Sequence, residues 1–255
     1  GKSPVNKLRI PRGFYRWQIK KDGYDVVERA EAPTNGPLAF VLDSVGTIPP
    51  GMLRVSGGRF TPSIWGMDRL EPVEFEDFLI DKFEVSNQQF KEFVDRGGYT
   101  TTNYWKLPFI KDGKPISRDQ AMKEFQDGTG RSGPAAWSNG LFPKGQEDYP
   151  VSGVSWYEAA AYAEFAGKSL PTLFHWDKAA GTRAVAQIIP FSNFGGQGPA
   201  PVGSHQGMSP SGAVNMAGNV GEWIWNEGES GKRWVAGGAW SDPSYLFVTL
   251  DATAP

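Results

Sequence analysis

The chain has 255 residues, 39% of them apolar and 21% charged, enough for one large domain or an ordinary domain with a small companion. Its 26 basic and 28 acidic side chains leave a net charge of −2, which argues against the basic face of a nucleic-acid binder and against a polybasic membrane anchor. The absence of cysteine excludes disulfides, thiolate metal sites, iron–sulfur clusters and a cysteine nucleophile, and two histidines, His175 and His205, are too few for a three-histidine metal centre.

Residues 1–46 are expected to form a small β unit. Gly1-Lys2-Ser3-Pro4 reads as the interior of a domain, so the chain is expected to be a piece of a longer protein. Strands are predicted at 5–10, at 14–19, near Val26 and Val27, and at 40–42. Turns at Pro11-Arg12-Gly13 and Lys21-Asp22-Gly23 and a loop over 31–37 separate them. Thr47-Ile48-Pro49-Pro50-Gly51 is the predicted boundary with a second unit over 47–255, because adjacent prolines make a stiff, solvated linker.

Beyond the linker two helices are legible and a third, shorter one follows. Asn87 is the predicted cap of a helix over 88–95, with Phe90 and Phe93 on one face and Gly97-Gly98 as the stop. Ser155 with Glu158 makes a capping box for a helix from 156 to about 166, which Gly167 ends. The shorter helix, over 173–180, follows Pro171-Thr172. From 181 to 233 no period persists and glycine recurs, a loop long enough to suggest a function or a bound ion. No apolar run approaches the about 18 residues of a membrane span. The 32 glycines, 20 prolines and 10 tryptophans point to long loops packed on aromatic rings.

Several short motifs lack the context their chemistry needs. Gly128-Thr129-Gly130-Arg131-Ser132-Gly133 matches G-x-G-x-x-G, but no strand precedes it and Pro134 follows, so it reads as a loop. Gly167-Lys168-Ser169 follows a helix and reads as its stop, and no serine sits in a G-x-S-x-G elbow. His175 near Asp177 reads either as an acid–base pair or, as the preferred alternative, a packed histidine. His205 lies in a loop and is open to either reading.

Six segments in order then carry a resemblance: GMLRVSGG at 51–58, IDKFEVSN at 80–87, PVSGVSW at 150–156, GKSLPT at 167–172, NMAGNVGEW at 215–223 and GGAW at 237–240. Their order and spacing resemble the formylglycine-generating enzyme family, also called sulfatase-modifying factors, over residues 50–255. The resemblance implies an α+β, C-type-lectin-like fold with few helices, a small twisted sheet and long loops. It also implies that Trp156, Tyr162, Trp176, Trp223 and Trp240 are mostly buried and close together. Gly1-x-Ser3-Pro4, Pro11-x-Gly13-x-Tyr15 and Lys21-Asp22-Gly23-Tyr24 resemble the second half of a PEGA-type β domain. Such a pairing resembles the sensor part of bacterial serine/threonine kinases, which implies fusion to a kinase and a periplasmic or cell-surface location.

Enzymes of the family, by this resemblance, oxidise a substrate cysteine to formylglycine using a copper-binding cysteine pair. The equivalent places fall at or near Phe247 and Ala252, which cannot bind copper, so no copper and no catalytic residue are expected. Iron-dependent relatives take histidines from a separate helical domain that this sequence does not include. Gly221 stands where the family usually has tryptophan, and Pro255 precedes the family's closing Gly-Phe-Arg strand, so a C-terminally truncated domain is expected. The leading expectation is a non-catalytic module that binds a protein, peptide or glycan. The alternatives are an enzyme with altered chemistry built from His205, Asp242 and neighbouring carboxylates, and a purely structural spacer.

The resemblance also implies a structural Ca²⁺ site made by the side chains of Asn215 and Glu222 and the carbonyls of Gly218 and Val220. Hard cations want such oxygen donors from a sharply turning loop. The octapeptide alone also fits a glycine-rich turn in which Glu222 caps amides and Asn215 makes an Asx turn. A second site at Asn193 and the Phe194 carbonyl lacks the family's aspartate and is expected to be empty or weak.

Overall fold

A computed structural model describes residues 5, 8–33, 38–67, 70–228 and 231–253. The Gly1-x-Ser3-Pro4 signature and part of the predicted 31–37 loop lie outside them.

The N-terminal strands β1 (Tyr15–Ile19) and β2 (Val27–Glu31) form an antiparallel pair with Ile19 opposite Val27 and Tyr15 opposite Glu31. Among the described residues, those predicted as strands at 5–10 and 40–42 join no ladder. Val5, Leu8 and Val41 are more than half exposed, so a strand there would have no surface to bury. The pair rests on the rest of the chain through a small apolar cluster of Ala30 with Met208 and Val214, and through polar contacts: Lys82 with Glu28 at 2.9 Å, and the Arg16 guanidinium donating to the Gln206 carbonyl at 3.0 Å.

After the Pro49-Pro50 segment, β3 (Met52–Val55) pairs antiparallel with β6 (Phe78–Asp81), and the hairpin β4 (Gly58–Phe60) and β5 (Val73–Phe75) lies between them in sequence. Helix α1 (Asn87–Asp95) follows. Its cap is Ser86, whose hydroxyl accepts from Gln89 N while the Gln89 side chain returns to Ser86 N. Asn87, the cap expected from sequence, is instead buried inside the first turn. Its Oδ1 accepts from Trp137 Nε1 and its Nδ2 donates to the Gln146 carbonyl, both at 2.9 Å. Tertiary partners thus took the side chain that local propensity assigned to the backbone.

Several elements were not expected from the sequence, the β4–β5 hairpin among them. A hairpin of β7 (Phe109–Lys111) and β8 (Lys114–Ile116) turns through Asp112 and Gly113, both at positive φ, and α2 (Arg118–Glu124) starts from a Ser117–Gln120 capping box. Helix α3 (Trp156–Phe165) has the predicted Ser155–Glu158 box, and Lys168 N bonds the Ala163 carbonyl as the chain turns at Gly167. Helix α4 (Leu173–Ala180) starts from Thr172 and stops at Gly181 in the left-handed region. The long stretch after it holds only α5 (Val185–Ile188) and flanking 3-10 turns before the last sheet. That sheet is formed by β9 (Glu222–Glu227), β10 (Arg233–Ala236) and β11 (Asp251–Thr253), in the order β11-β10-β9.

Small antiparallel sheets, few helices and long loops make this an α+β fold with two large hydrophobic clusters. One gathers Leu173, Trp176, Ile188, Ile224 and Phe247 where α4 meets β9. The other is built of rings, Phe90, Phe93, Phe125, Trp137, Trp156 and Tyr157, where α1 meets α3. The five rings expected together are therefore divided. Trp176 is in the first cluster, Trp156 is in the second with half-buried Tyr162 and Trp223 against it, and Trp240 belongs to neither. The physical reason is that α3 and α4 are successive helices that bury different faces. Among the described residues no helix is long and apolar enough to cross a membrane.

Candidate functional site

The segment after β6 and the loop entering β9 bring two carboxylates together. Asn219 is the joint between them. Fully buried and at φ 66, it donates through Nδ2 to Glu84 Oε2 at 2.7 Å and to the Ala200 carbonyl at 3.2 Å. Its Oδ1 accepts from Asn193 Nδ2 at 3.0 Å and from Ala200 N at 2.8 Å. The other Glu84 oxygen accepts from Val220 N at 3.1 Å. Three positions past Asn219, Glu222 Oε2 accepts from Trp176 Nε1 at 2.5 Å.

Both glutamates have partly exposed stems and inward carboxylates. Burial, with the nearby charge of Glu222, raises the Glu84 pKa well above the usual carboxylate range despite its bonds to Asn219 and Val220. Burial likewise pushes Glu222 up to about 7, opposed by the Trp176 bond. Among the described residues neither takes part in an ion pair, since Lys82 is engaged with Glu28 and Lys168 with Asp81. The two carboxylates border a cleft of about 610 Å³, whose walls include Phe78, Ile80, Tyr162, Leu170, His175 and Trp223.

The remaining loop residues are held by their own contacts. Asn215, at φ 69 and buried, accepts through Oδ1 from Gly203 N at 3.1 Å. Gly218 lies at φ 74, where a Cβ would meet the Asn193 carbonyl at 2.4 Å. Gly221 is exposed, and a Cβ there would meet Val235 Cγ1 of β10 at 2.6 Å, so a larger residue would require that side chain to shift. At the second expected cation site, the Asn193 amide nitrogen is engaged by Gly198 and Asn219, and Phe194 N donates to the Ser192 carbonyl. Among the described residues no three His, Asp or Glu side chains cluster as a metal site. What the loop offers a hard cation is one inward carboxylate at Glu222, one amide oxygen at Asn215 and the carbonyls of Gly218 and Val220. Glu222 is the single carboxylate of that donor set, because both Glu84 oxygens are taken by Asn219 and Val220 N.

The other candidates are separated. His175 stands edge-on to Phe75 and Phe78, 5.0 and 4.7 Å between ring centroids, with Nδ1 2.5 Å from Thr172 Oγ1. Burial lowers its pKa. Asp177 faces away, accepting from Ser63 N and Thr182 Oγ1, so the two make no acid–base pair. His205 Nδ1 lies 3.3 Å from Ser204 Oγ, and Asp242 accepts from Ala239 N, with no hydrogen bond joining them among the described residues. Phe247 is fully buried against the Trp176 ring, and Ala252 sits opposite Trp234 in the ladder. The 128–133 motif is a loop folded over Asp127, whose carboxylate accepts from Thr129 N, Thr129 Oγ1, Arg131 N and Gly140 N.

Glu84 and Asn219 were the residues overlooked. Both stand inside recognised segments, but their contact joins positions 135 apart, and a single sequence carries no signal of that pairing.

The arrangement defines a C-type-lectin-like α+β scaffold with a cleft beside its glycine-rich loop. Residues 42–252 match the sulfatase-modifying factor enzyme 1-like domain, and the chain belongs to that family. It is 31% identical over 176 residues to the hercynine oxygenase of Mycobacterium tuberculosis, a match covering 59% of this chain and 38% of that protein. It is 28% identical over 232 residues to the inactive C-alpha-formylglycine-generating enzyme 2 of Bos taurus, covering 75% and 76%. In fold it is similar to the crystal structure of CarF, with a TM-score of 0.52 at 19% identity, covering 81% of this chain and 93% of that one. The family thus includes a protein named an oxygenase and one named inactive. The matches span between 38% and 49% of the length of the hercynine oxygenases.

Proposed function

We propose that the chain is a non-catalytic binding module on the sulfatase-modifying factor scaffold, taking a protein, peptide or glycan ligand in the cleft beside Glu84. A Ca²⁺ ion held by the Asn215 and Glu222 side chains and the carbonyls of Gly218 and Val220 orders the floor of that cleft. The observation that carries the reading is the pair of inward carboxylates, Glu84 and Glu222, which have no ion-pair partner among the described residues. The ion's contribution is structural: it neutralises charge that burial disfavours. With no cysteine in the chain and Phe247 sunk in the core, copper chemistry has no thiolate to use. The division at residue 46 and the PEGA-type origin of the N-terminal pair belong to the same proposal. They are supported by β1 and β2 pairing, among the described residues, with each other alone and by the family match starting at residue 42. Fusion to a kinase and an extracytoplasmic location complete it by analogy.

Two measurements test the reading. Oxygen consumption with copper and a Cys-x-Pro-x-Arg peptide should show no turnover, and turnover would favour the enzyme alternative. Ca²⁺ should raise the melting temperature and chelator lower it, since an ion bound only by the folded state adds about 2.7 kcal/mol at a hundred times its Kd. Glu222→Gln should blunt that response. An identical melting curve in chelator would remove the ion from the proposal.

A further inference from the structure

Helix α3 turns different faces to two neighbouring cavities, whose walls share Ser169, Leu170 and Thr172. Ala159, Tyr162 and Ala163 face the cleft beside Glu84, whereas Tyr157, Ala160, Ala161 and Glu164, spaced i, i+3, i+4 and i+7, line a second cavity of about 380 Å³. A helix this apolar all round must cover both of its faces. On the second face the walls are Tyr104, Trp105 and Leu107 on one side and Trp225 of β9 on the other. The rings are held in place. Trp105 stacks on Phe125 at 5.4 Å and 11°, and Trp225 leans on Trp156 at 5.5 Å while remaining 40% exposed. At the rim Lys106 Nζ donates to Glu164 Oε2, and both side chains are open to solvent, 61% and 36% exposed.

We infer that this second cavity, which does not include Glu84, binds a pyranose ring of a glycan on the other face of α3. A pyranose has a face of C–H bonds that lies on the negative face of an aromatic ring, which Trp225 and its neighbours supply. Around its edge run hydroxyls that each donate and accept. The Lys106–Glu164 pair sets an acceptor and a donor side by side, so neighbouring hydroxyls engage both at once. The carboxylate accepts a hydrogen bond from one hydroxyl and the ammonium donates one to the oxygen of the other. An aromatic peptide side chain would fill the same apolar space, but it would desolvate the rim pair and return no hydrogen bond. The volume suits one ring, with apolar walls and a few polar groups at the edge, as small-ligand sites have.

The test titrates glucose, galactose, mannose and N-acetylglucosamine into the 255-residue chain, with N-acetylphenylalaninamide as the competing probe. Tryptophan fluorescence and saturation-transfer NMR read binding. At least one sugar should bind saturably in the millimolar range, as expected for a ligand of about a dozen non-hydrogen atoms. Trp225→Ala should weaken it about tenfold. Glu164→Gln, an isosteric change at a solvent-open position, should weaken it several-fold with an unchanged melting temperature. Glu84→Gln, on the far side of α3, should leave it unaltered, so failure of the cleft proposal and failure of this one are distinguishable. Three outcomes would overturn the inference: no saturable sugar binding, preference for the phenylalanine amide, or wild-type sugar affinity in both rim-side variants.

Discussion

Replacing Asn219 by alanine removes the joint between the two halves of the site, and its cost follows from the bonds it makes. Two donated and two accepted side-chain hydrogen bonds disappear, leaving the Ala200 N–H and carbonyl, the Asn193 amide and one Glu84 oxygen without that partner. A buried polar group left unpaired costs about 1–3 kcal/mol. Asn193 keeps its bond to Gly198 and Glu84 its bond to Val220, so the loss is partial, about 3–6 kcal/mol in all. The backbone adds to it. Asn219 sits at φ 66, where a Cβ-bearing residue without a short polar side chain loses about 1–2 kcal/mol. Against a total stability of about 5–15 kcal/mol, Asn219→Ala should bring the fold near its threshold. Asn219→Gly shares the polar loss without the backbone strain and should be about 1 kcal/mol the more stable of the two. Urea unfolding followed by tryptophan fluorescence at neutral pH measures both. A loss below about 1 kcal/mol in the alanine variant, or a glycine variant less stable than alanine, would refute the reasoning.

Trp156→Ala should cost about 3–5 kcal/mol in the same assay, because the ring is fully buried and donates to the Ile224 carbonyl at 2.9 Å beneath the Arg233 guanidinium. An unchanged midpoint would mean that the ring cluster does not hold α3. Asp127 contributes to the acid dependence of stability. Burial acts to raise its pKa, but its bonds from Gly140, Thr129 and Arg131 together hold it well below the usual carboxylate range. A carboxyl lowered in this way stabilises the fold above its unfolded value of about 3.9, and that contribution fades as pH falls through the folded value. Asp127→Asn should therefore melt lower than the wild type at neutral pH, and the gap should narrow in strong acid. A gap independent of pH would contradict the assignment.

Local signals in the sequence determined a good part of the fold. The Ser155–Glu158 box and the stop at Gly167 were legible, and so was the short helix after Pro171-Thr172, because a cap or stop is settled within four residues by backbone groups that need partners. The six segments likewise sufficed for the family and for the class of fold, and the turn context of 128–133 sufficed to set the dinucleotide motif aside. The hairpin at Asp112-Gly113 and the Ser117–Gln120 box carried the same kind of local signal and went unused. Tertiary structure decided the rest. Ser86 and Asn87 are adjacent and equally suited to cap α1. The choice is made by Trp137, 50 positions away, whose indole N–H takes the Asn87 oxygen. The division of the rings between two clusters depends on which face α3 and α4 each bury, and a nearly all-apolar helix gives no preferred face to read. The meeting of Glu84 with Asn219, and the approach of Glu222 to Trp176, join segments whose separate compositions are unremarkable. Those contacts exist because burying the surrounding rings leaves these polar groups no water to bond, so each must find a partner from a distant part of the chain.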